Sequence, residues 1–207
     1  MPKKAETGNQ VVKPIERKIA LAAEEVILTY GFHGCTIDRV IEKAHVSRGT
    51  LFKYFNGKSE LFATVVRNIA ASIKKELAQI LNTLSIASPD PATVVRGFLT
   101  LFSDDASKKI WKRARIVATT IVELKESMPE LLVELSEGIG FVNAMMADLF
   151  HGAGIPKEQA EHQAEQFMCL IIGGLLMVRV FNDERVFRHQ IHLFRDRVMA
   201  MVPDGSK

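Results

Sequence analysis

Apolar residues recur at spacings of three and four from Pro14 almost to the end of the chain, and no window alternates with period two between hairpin turns. This pattern predicts an all-α protein of about nine helices. The first helix opens at Pro14, aligns Ile15, Ile19, Ala22, Ala23, Val26 and Ile27 on one face, and is expected to stop at Gly31, where a left-handed residue is easiest. Thr36 is placed to cap a short second helix whose apolar face is Ile37, Val40, Ile41 and Ala44, with Asp38 against its positive end. Ser47 is placed to cap a short third helix, which must end near Asn56-Gly57 because that pair favours a turn.

A fourth helical pattern runs from Lys58 to about Leu84 and gives way to the breaker-rich stretch from Ser85 to Pro91, where Asp90 caps a fifth helix. Further patterns occupy about 91–104, 107–127, 130–151, 156–182 and 184–201. The longest apolar run, Phe167 to Val178, is stopped by Arg179 well short of the roughly 20 residues that cross a bilayer, so it reads as a buried helix. It is apolar on nearly every face and carries Gly173-Gly174, which would let another helix approach closely. A second copy of the chain is the expected source of that cover, with Ile171, Gly174, Leu175 and Val178 meeting Ile191, Phe194 and Val198 of the final helix. The alternative is that both stripes pack within one subunit.

Composition adds little. The 207 residues are 47% hydrophobic and 25% charged, as in an ordinary soluble protein, and 27 cations against 24 anions leave +3. So mild a balance says nothing about partners; the local distribution of charge does. Met1 to Glu6 has positive charge but no apolar stretch behind it, which argues against a secretory signal. Cys35 and Cys169 have no partner at metal or redox spacing, which argues against a zinc site and an oxidising compartment, and a cytoplasmic location is expected. From residue 63 onward there is no glycine-rich phosphate loop and no nucleophile–base pair, so neither an enzyme nor a cofactor is expected.

The informative segment is the pair of short helices joined across His45-Val46-Ser47, a helix-turn-helix when laid against the first helix. Leu51 and Phe55 are expected to point inward, and Arg48, Gly49, Thr50, Lys53 and Tyr54 outward. From Gly31 to Lys58, Arg39, Lys43, Arg48, Lys53 and Lys58 outnumber Asp38 and Glu42 by five to two. The ordered strings Thr36-Ile37-Asp38-Arg39-Val40-Ile41, Val46-Ser47-Arg48-Gly49-Thr50-Leu51-Phe52-Lys53-Tyr54-Phe55 and Lys58-Ser59-Glu60-Leu61-Phe62 resemble the DNA-binding domain of the TetR family of bacterial transcriptional repressors.

The resemblance implies that Thr36, Ser47, Thr50, Tyr54 and Lys58 hold DNA phosphates, and that Arg48, Gly49, Phe52 and Lys53 read base edges: Arg48 a guanine, Phe52 a thymine methyl. Two positions depart from the family. His45 stands where a glycine is usual in the turn and must adopt a left-handed or adjusted conformation, and Ile41 replaces a smaller residue. Arg39 and Lys43 read as solvated helix charges, and Cys35 as a small half-buried residue. Lys3, Lys4 and Lys13 form either a basic arm entering the minor groove or a disordered terminus.

The resemblance also implies three segments: a basic arm at 1–13, a DNA-binding domain at 14–62, and a helical regulatory and dimerisation domain at 63–207. Phe98, Phe102, Trp111, Arg115, Thr119, Met145, Met146, Phe167 and Met168 are candidates for a small-molecule pocket, with core the more ordinary reading of each taken singly. Arg115 would pair with an anionic ligand or with Glu123, or be exposed. The expected site lies beside the fourth helix, walled by the segments Phe98–Phe102, Trp111–Thr119 and Met145–Leu149. The partners implied are operator DNA, an unidentified inducer and a second copy of the chain, with no membrane; the alternative is a ligand-independent DNA-binding structural or replication-control protein.

Overall fold

The computed structural model describes residues 14–103, 108–124 and 129–203, without the side chains of 103, 108, 109 and 119–124. Among these residues there are nine helices and no strand. The proposed arm, with Lys3, Lys4 and Lys13, lies outside the described residues.

The chain divides into two compact units, Met1–Val65 and Val66–Lys207. In the first, α1 (Pro14–Gly34) packs on α2 (Ile37–Ala44), and α3 (Arg48–Tyr54) lies against both. Ile19, Ala23, Val40, Leu51, Phe55 and Leu61 are sealed from solvent. The helix α1 breaks where expected: Gly31 takes φ 74° and ψ 177°, outside helical geometry, and a further short turn follows in which Cys35 N–H donates to the Gly31 carbonyl at 3.1 Å. Lys43 reaches Glu25 at 2.7 Å and the Arg39 guanidinium lies 4.2 Å from the Tyr30 ring centre. Both cations stay exposed, as expected of solvated helix charges, and each also meets a residue of α1.

The helix α4 (Lys58–Ala87) begins in the first unit and runs into the second. Beyond it come α5 (Pro91–Ser103), α6 (Lys108–Leu124), α7 (Pro129–Gly152), α8 (Lys157–Phe181) and α9 (Glu184–Met199). Asp90 and Asp183 start α5 and α9, accepting from Thr93 N–H and Arg185 N–H at 2.9 Å each. Around α8, the core is aromatic: Phe102 meets Phe98 and Trp111 with ring centres 4.7 Å apart and Phe167 at 5.4 Å, and Phe167 meets Phe194 at 5.4 Å.

Candidate nucleic-acid interface and ligand cavity

Both helices of the helix-turn-helix are capped by the residues that would touch phosphate. The Thr36 hydroxyl accepts from Arg39 N–H at 3.3 Å; the Ser47 hydroxyl accepts from Thr50 N–H at 3.0 Å and lies 2.8 Å from the Thr50 hydroxyl. Each cap satisfies one first-turn amide, and the other first-turn amides have no partner within their helix, the general feature that lets a helix N-terminus receive an anion. Between them His45 is left-handed, φ 50° and ψ 51°, and its N–H and that of Val46 close the end of α2 on the Glu42 and Ile41 carbonyls at 3.1 Å each. The turn therefore holds its geometry without the usual glycine, at the modest cost of a left-handed histidine.

Along α3, Leu51 and Phe55 are buried, while Arg48, Gly49, Phe52 and Lys53 are exposed and Thr50 and Tyr54 are half-buried. Arg48 is not idle: its guanidinium is ion-paired to Asp38 on α2, so reading a base requires exchanging one anionic partner for another. Phe52 keeps 43% of its surface, a large apolar side chain left in water on the outward face. A Cβ built on Gly49 would meet only the Ser47 hydroxyl oxygen, at 3.8 Å; nothing inside the fold demands a glycine there, although glycine weakens a helix. At the head of α4 the Lys58 ammonium sits 5.2 Å from the ring centres of both Phe32 and Phe62, and Glu60 accepts from Asn56 N–H at 2.7 Å. Cys35 is 1% exposed, and its burial pushes the thiol up to about 11 against the lowering influence of Lys58 and Arg39. Such a thiol is unreactive at neutral pH.

The second unit encloses a cavity of about 210 Å³ walled by α4, α5, α6, α7 and α8. Of the residues suggested by the sequence, Phe98, Phe102, Trp111, Met146, Phe167 and Met168 line it. Arg115 and Met145 do not, and Thr119 falls outside the residues whose side chains are described. The α7 wall runs from Leu135 to Met146, earlier than the expected Met145–Leu149, because α7 passes the cavity with its middle turns. The α4 wall, from Ala70 to Leu77, could have been placed only by the i, i+3, i+4, i+7 pattern of Ala70, Ile73, Lys74 and Leu77, which by itself does not separate cavity from core.

Residues 19–65 match the family described as bacterial regulatory proteins of the tetR family, and residues 91–191 match the C-terminal domain of the LmrA/YxaF-like transcriptional regulators. The chain belongs to the TetR family of transcriptional regulators. It is 24% identical over 182 residues to an uncharacterized HTH-type transcriptional regulator in the lacX 3′ region of Lactococcus lactis, covering 87% of this chain and 91% of that one. It is also 24% identical over 177 residues to the fatty acid metabolism regulator protein of Bacillus subtilis, covering 84% and 87%. The fold is similar to that of a TetR-family regulator from Cytophaga hutchinsonii, with TM-score 0.75, 14% identity, and 91% and 95% of the two chains covered. A transcriptional regulator from Rhodococcus gives TM-score 0.69 at 19% identity, covering 89% and 96%.

In this TetR-family chain, the residues expected at a dimer interface fall into two groups. Ile171, Leu175, Ile191, Phe194 and Val198 are buried within the single subunit, and Ile171 and Leu175 line the cavity. Val178 is half-buried against the same core. Gly174 admits α9 of its own chain, since a Cβ there would lie 2.3 Å from Phe187 Cδ2. Within the single chain the five buried side chains have little surface to offer a partner, whereas Gly174 and Val178 keep some. Among the described helices α8 alone is long and apolar enough to cross a membrane, and only 22% of its most apolar stretch is buried within the single chain, which leaves open the face that the sequence expects a second copy to cover. Its uncovered face carries Cys169, Gly173, Met177, Val180 and Phe181, and α9 adds exposed Val186 and Leu193.

Proposed function

We propose that this TetR-family regulator is a cytoplasmic, homodimeric repressor that reads a near-palindromic operator through α3 and is released by a small molecule held in the α4–α8 cavity. The single observation carrying this reading is that α4 is one unbroken helix from Lys58, at the proposed phosphate contacts, to Leu77 in the cavity wall. A ligand that repositions the wall repositions the helix that leads to the DNA. Thr36, Ser47, Thr50, Tyr54 and Lys58 are assigned to phosphates, and Arg48, Gly49, Phe52 and Lys53 to bases. The second copy is assigned to the uncovered face of α8 and α9, because Val180 and Phe181, 73% and 62% exposed, are large apolar residues clustered beside Met177.

Release requires differential affinity: shifting DNA-competent molecules from 99% to 1% takes about 5.5 kcal/mol between the two states. The alternative, a DNA-binding protein with no effector, has no use for a cavity whose wall is α4. Selection of bound sequences from random duplex DNA, followed by footprinting, should return two half-sites with centres roughly 34–36 Å apart. Recovery of a single unpaired half-site would reject the dimeric reading. A thermal-shift screen of metabolites should find stabilising compounds that lower operator affinity; stabilising compounds that leave it unchanged would reject release.

A further inference from the structure

Two contacts join α4 to α7 one heptad apart on each helix. Arg67 holds Glu134 through both guanidinium edges, Nε to Oε2 at 2.5 Å and Nη2 to Oε1 at 2.7 Å, and Lys74 Nζ lies 3.5 Å from the centre of the Phe141 ring. Between these rungs the wall is made of small residues, Ala70 and Ala71 on α4 and Gly138 on α7, and all three line the cavity. A Cβ added at Gly138 would meet nothing within 4 Å.

Resting on the proposed ligand cavity, we infer that its occupant is an amphiphilic monoanion: an apolar body inside and one carboxylate-type group at Lys74. Among the described residues Lys74 is the only charged side chain lining the cavity; the remaining lining residues are apolar, with Trp111 among them. A polar group deeper inside would lose its water without gaining a partner, so the body of the ligand must be hydrocarbon or aryl. An ammonium only donates, which selects an acceptor, and most strongly an anion, at that one end. Lys74 makes no ion pair among the described residues and rests instead on the half-exposed face of Phe141, an interaction weak enough at an exposed site to be given up for a carboxylate. Its transfer would open the lower rung between α4 and α7, which couples the head group to the helix that carries Lys58.

The test is direct binding to the full chain of octanoate, 1-octanol and octylamine, which share one apolar body and differ in head group. Displacement of the neutral dye N-phenyl-1-naphthylamine reports occupancy. Octanoate should bind at least about tenfold more tightly than 1-octanol, the scale of a charge-assisted hydrogen bond, and octylamine more weakly than either. Lys74→Met, which keeps the apolar stem, should erase the octanoate advantage and leave 1-octanol unchanged. Equal binding of octanoate and 1-octanol by the wild type, or an octanoate advantage that survives in Lys74→Met, would overturn the inference. Gly138→Leu separates this from the cavity reading itself: it fills the cavity where there is room and should abolish dye binding. Dye binding that persists in Gly138→Leu would place the apolar site elsewhere and overturn both.

Discussion

Gly174 and Phe187 are in contact closer than any side chain at position 174 would allow: a Cβ on the glycine would stand 2.3 Å from Cδ2 and 2.8 Å from Cε2 of the phenylalanine ring. The ring is 4% exposed and packs edge-on against Trp111 with centres 5.0 Å apart. It therefore has little freedom to retreat. Gly174→Ala should destabilise the second unit by about 1–3 kcal/mol through overpacking. For a chain of this length that corresponds to a fall in Tm of roughly 2–4 °C per kcal/mol. Because Trp111 lines the cavity, dye binding should weaken in the same variant. Calorimetry showing an unchanged Tm would mean that α8 and α9 separate freely.

At Gly49 the opposite holds. The 3.8 Å contact a Cβ would make with the Ser47 hydroxyl is ordinary, so Gly49→Ala should raise stability by about 0.5–1 kcal/mol, the helix penalty of glycine. Operator affinity should nevertheless fall, since the added methyl faces the groove that α3 is proposed to enter. A variant that is both more stable and equally tight on DNA would remove Gly49 from the interface.

The two cations at the DNA face should behave differently. Lys58→Ala should weaken binding to every sequence and reduce the salt slope by about one, whereas Arg48→Ala should relax one base position at a cost of about 1–3 kcal/mol. Asp38→Asn removes the anion that now holds Arg48 and should tighten specific binding. Binding isotherms across a salt series, on operator and on random duplex, distinguish these outcomes; a change of base preference in Lys58→Ala would reverse the two roles.

Phe181→Glu, alone or with Val180→Glu, places charge on the uncovered face of α8 without touching the core. Sedimentation should report monomers with an unchanged helical signal, and operator affinity should collapse toward that of a single half-site. Persistence of the dimer in the double variant would move the interface to another surface.

Of the two thiols, only Cys169 is exposed. Iodoacetamide at pH 8 should modify Cys169 in the monomeric Val180→Glu, Phe181→Glu variant, spare it in the wild-type dimer whose proposed interface carries it, and modify both cysteines after denaturation. The buried Cys35 holds its proton up to about 11, against an ordinary value of 9.0. Between those values the unfolded chain has lost the proton that the folded chain keeps, so unfolding releases a proton and stability falls as pH rises from 9 toward 11. Cys35→Ala should flatten that part of the pH–stability curve, measured by denaturant titration, and a slope identical to wild type would assign it to other groups.

Helix types, caps and breaks were legible in the sequence because they depend on neighbours within four residues. Thr36, Ser47 and Asp90 carry oxygens that satisfy amides three positions on, and Leu51 and Phe55 share a face by helical periodicity alone. The recognition strings around Ser47 and Lys58 were legible for the same reason, being contiguous. What only the tertiary structure decided was which partner each apolar face meets. Periodicity shows that Ile171, Leu175, Ile191 and Phe194 need cover, but it carries no information on whether that cover belongs to the same chain or to another. Here α9 and the cavity supply it, and the face left uncovered is the one bearing Met177, Val180 and Phe181. The pairing of Lys74 with Phe141 was equally invisible, because the two residues lie 67 positions apart and meet only when the fold brings α7 within reach of the long side chains of α4.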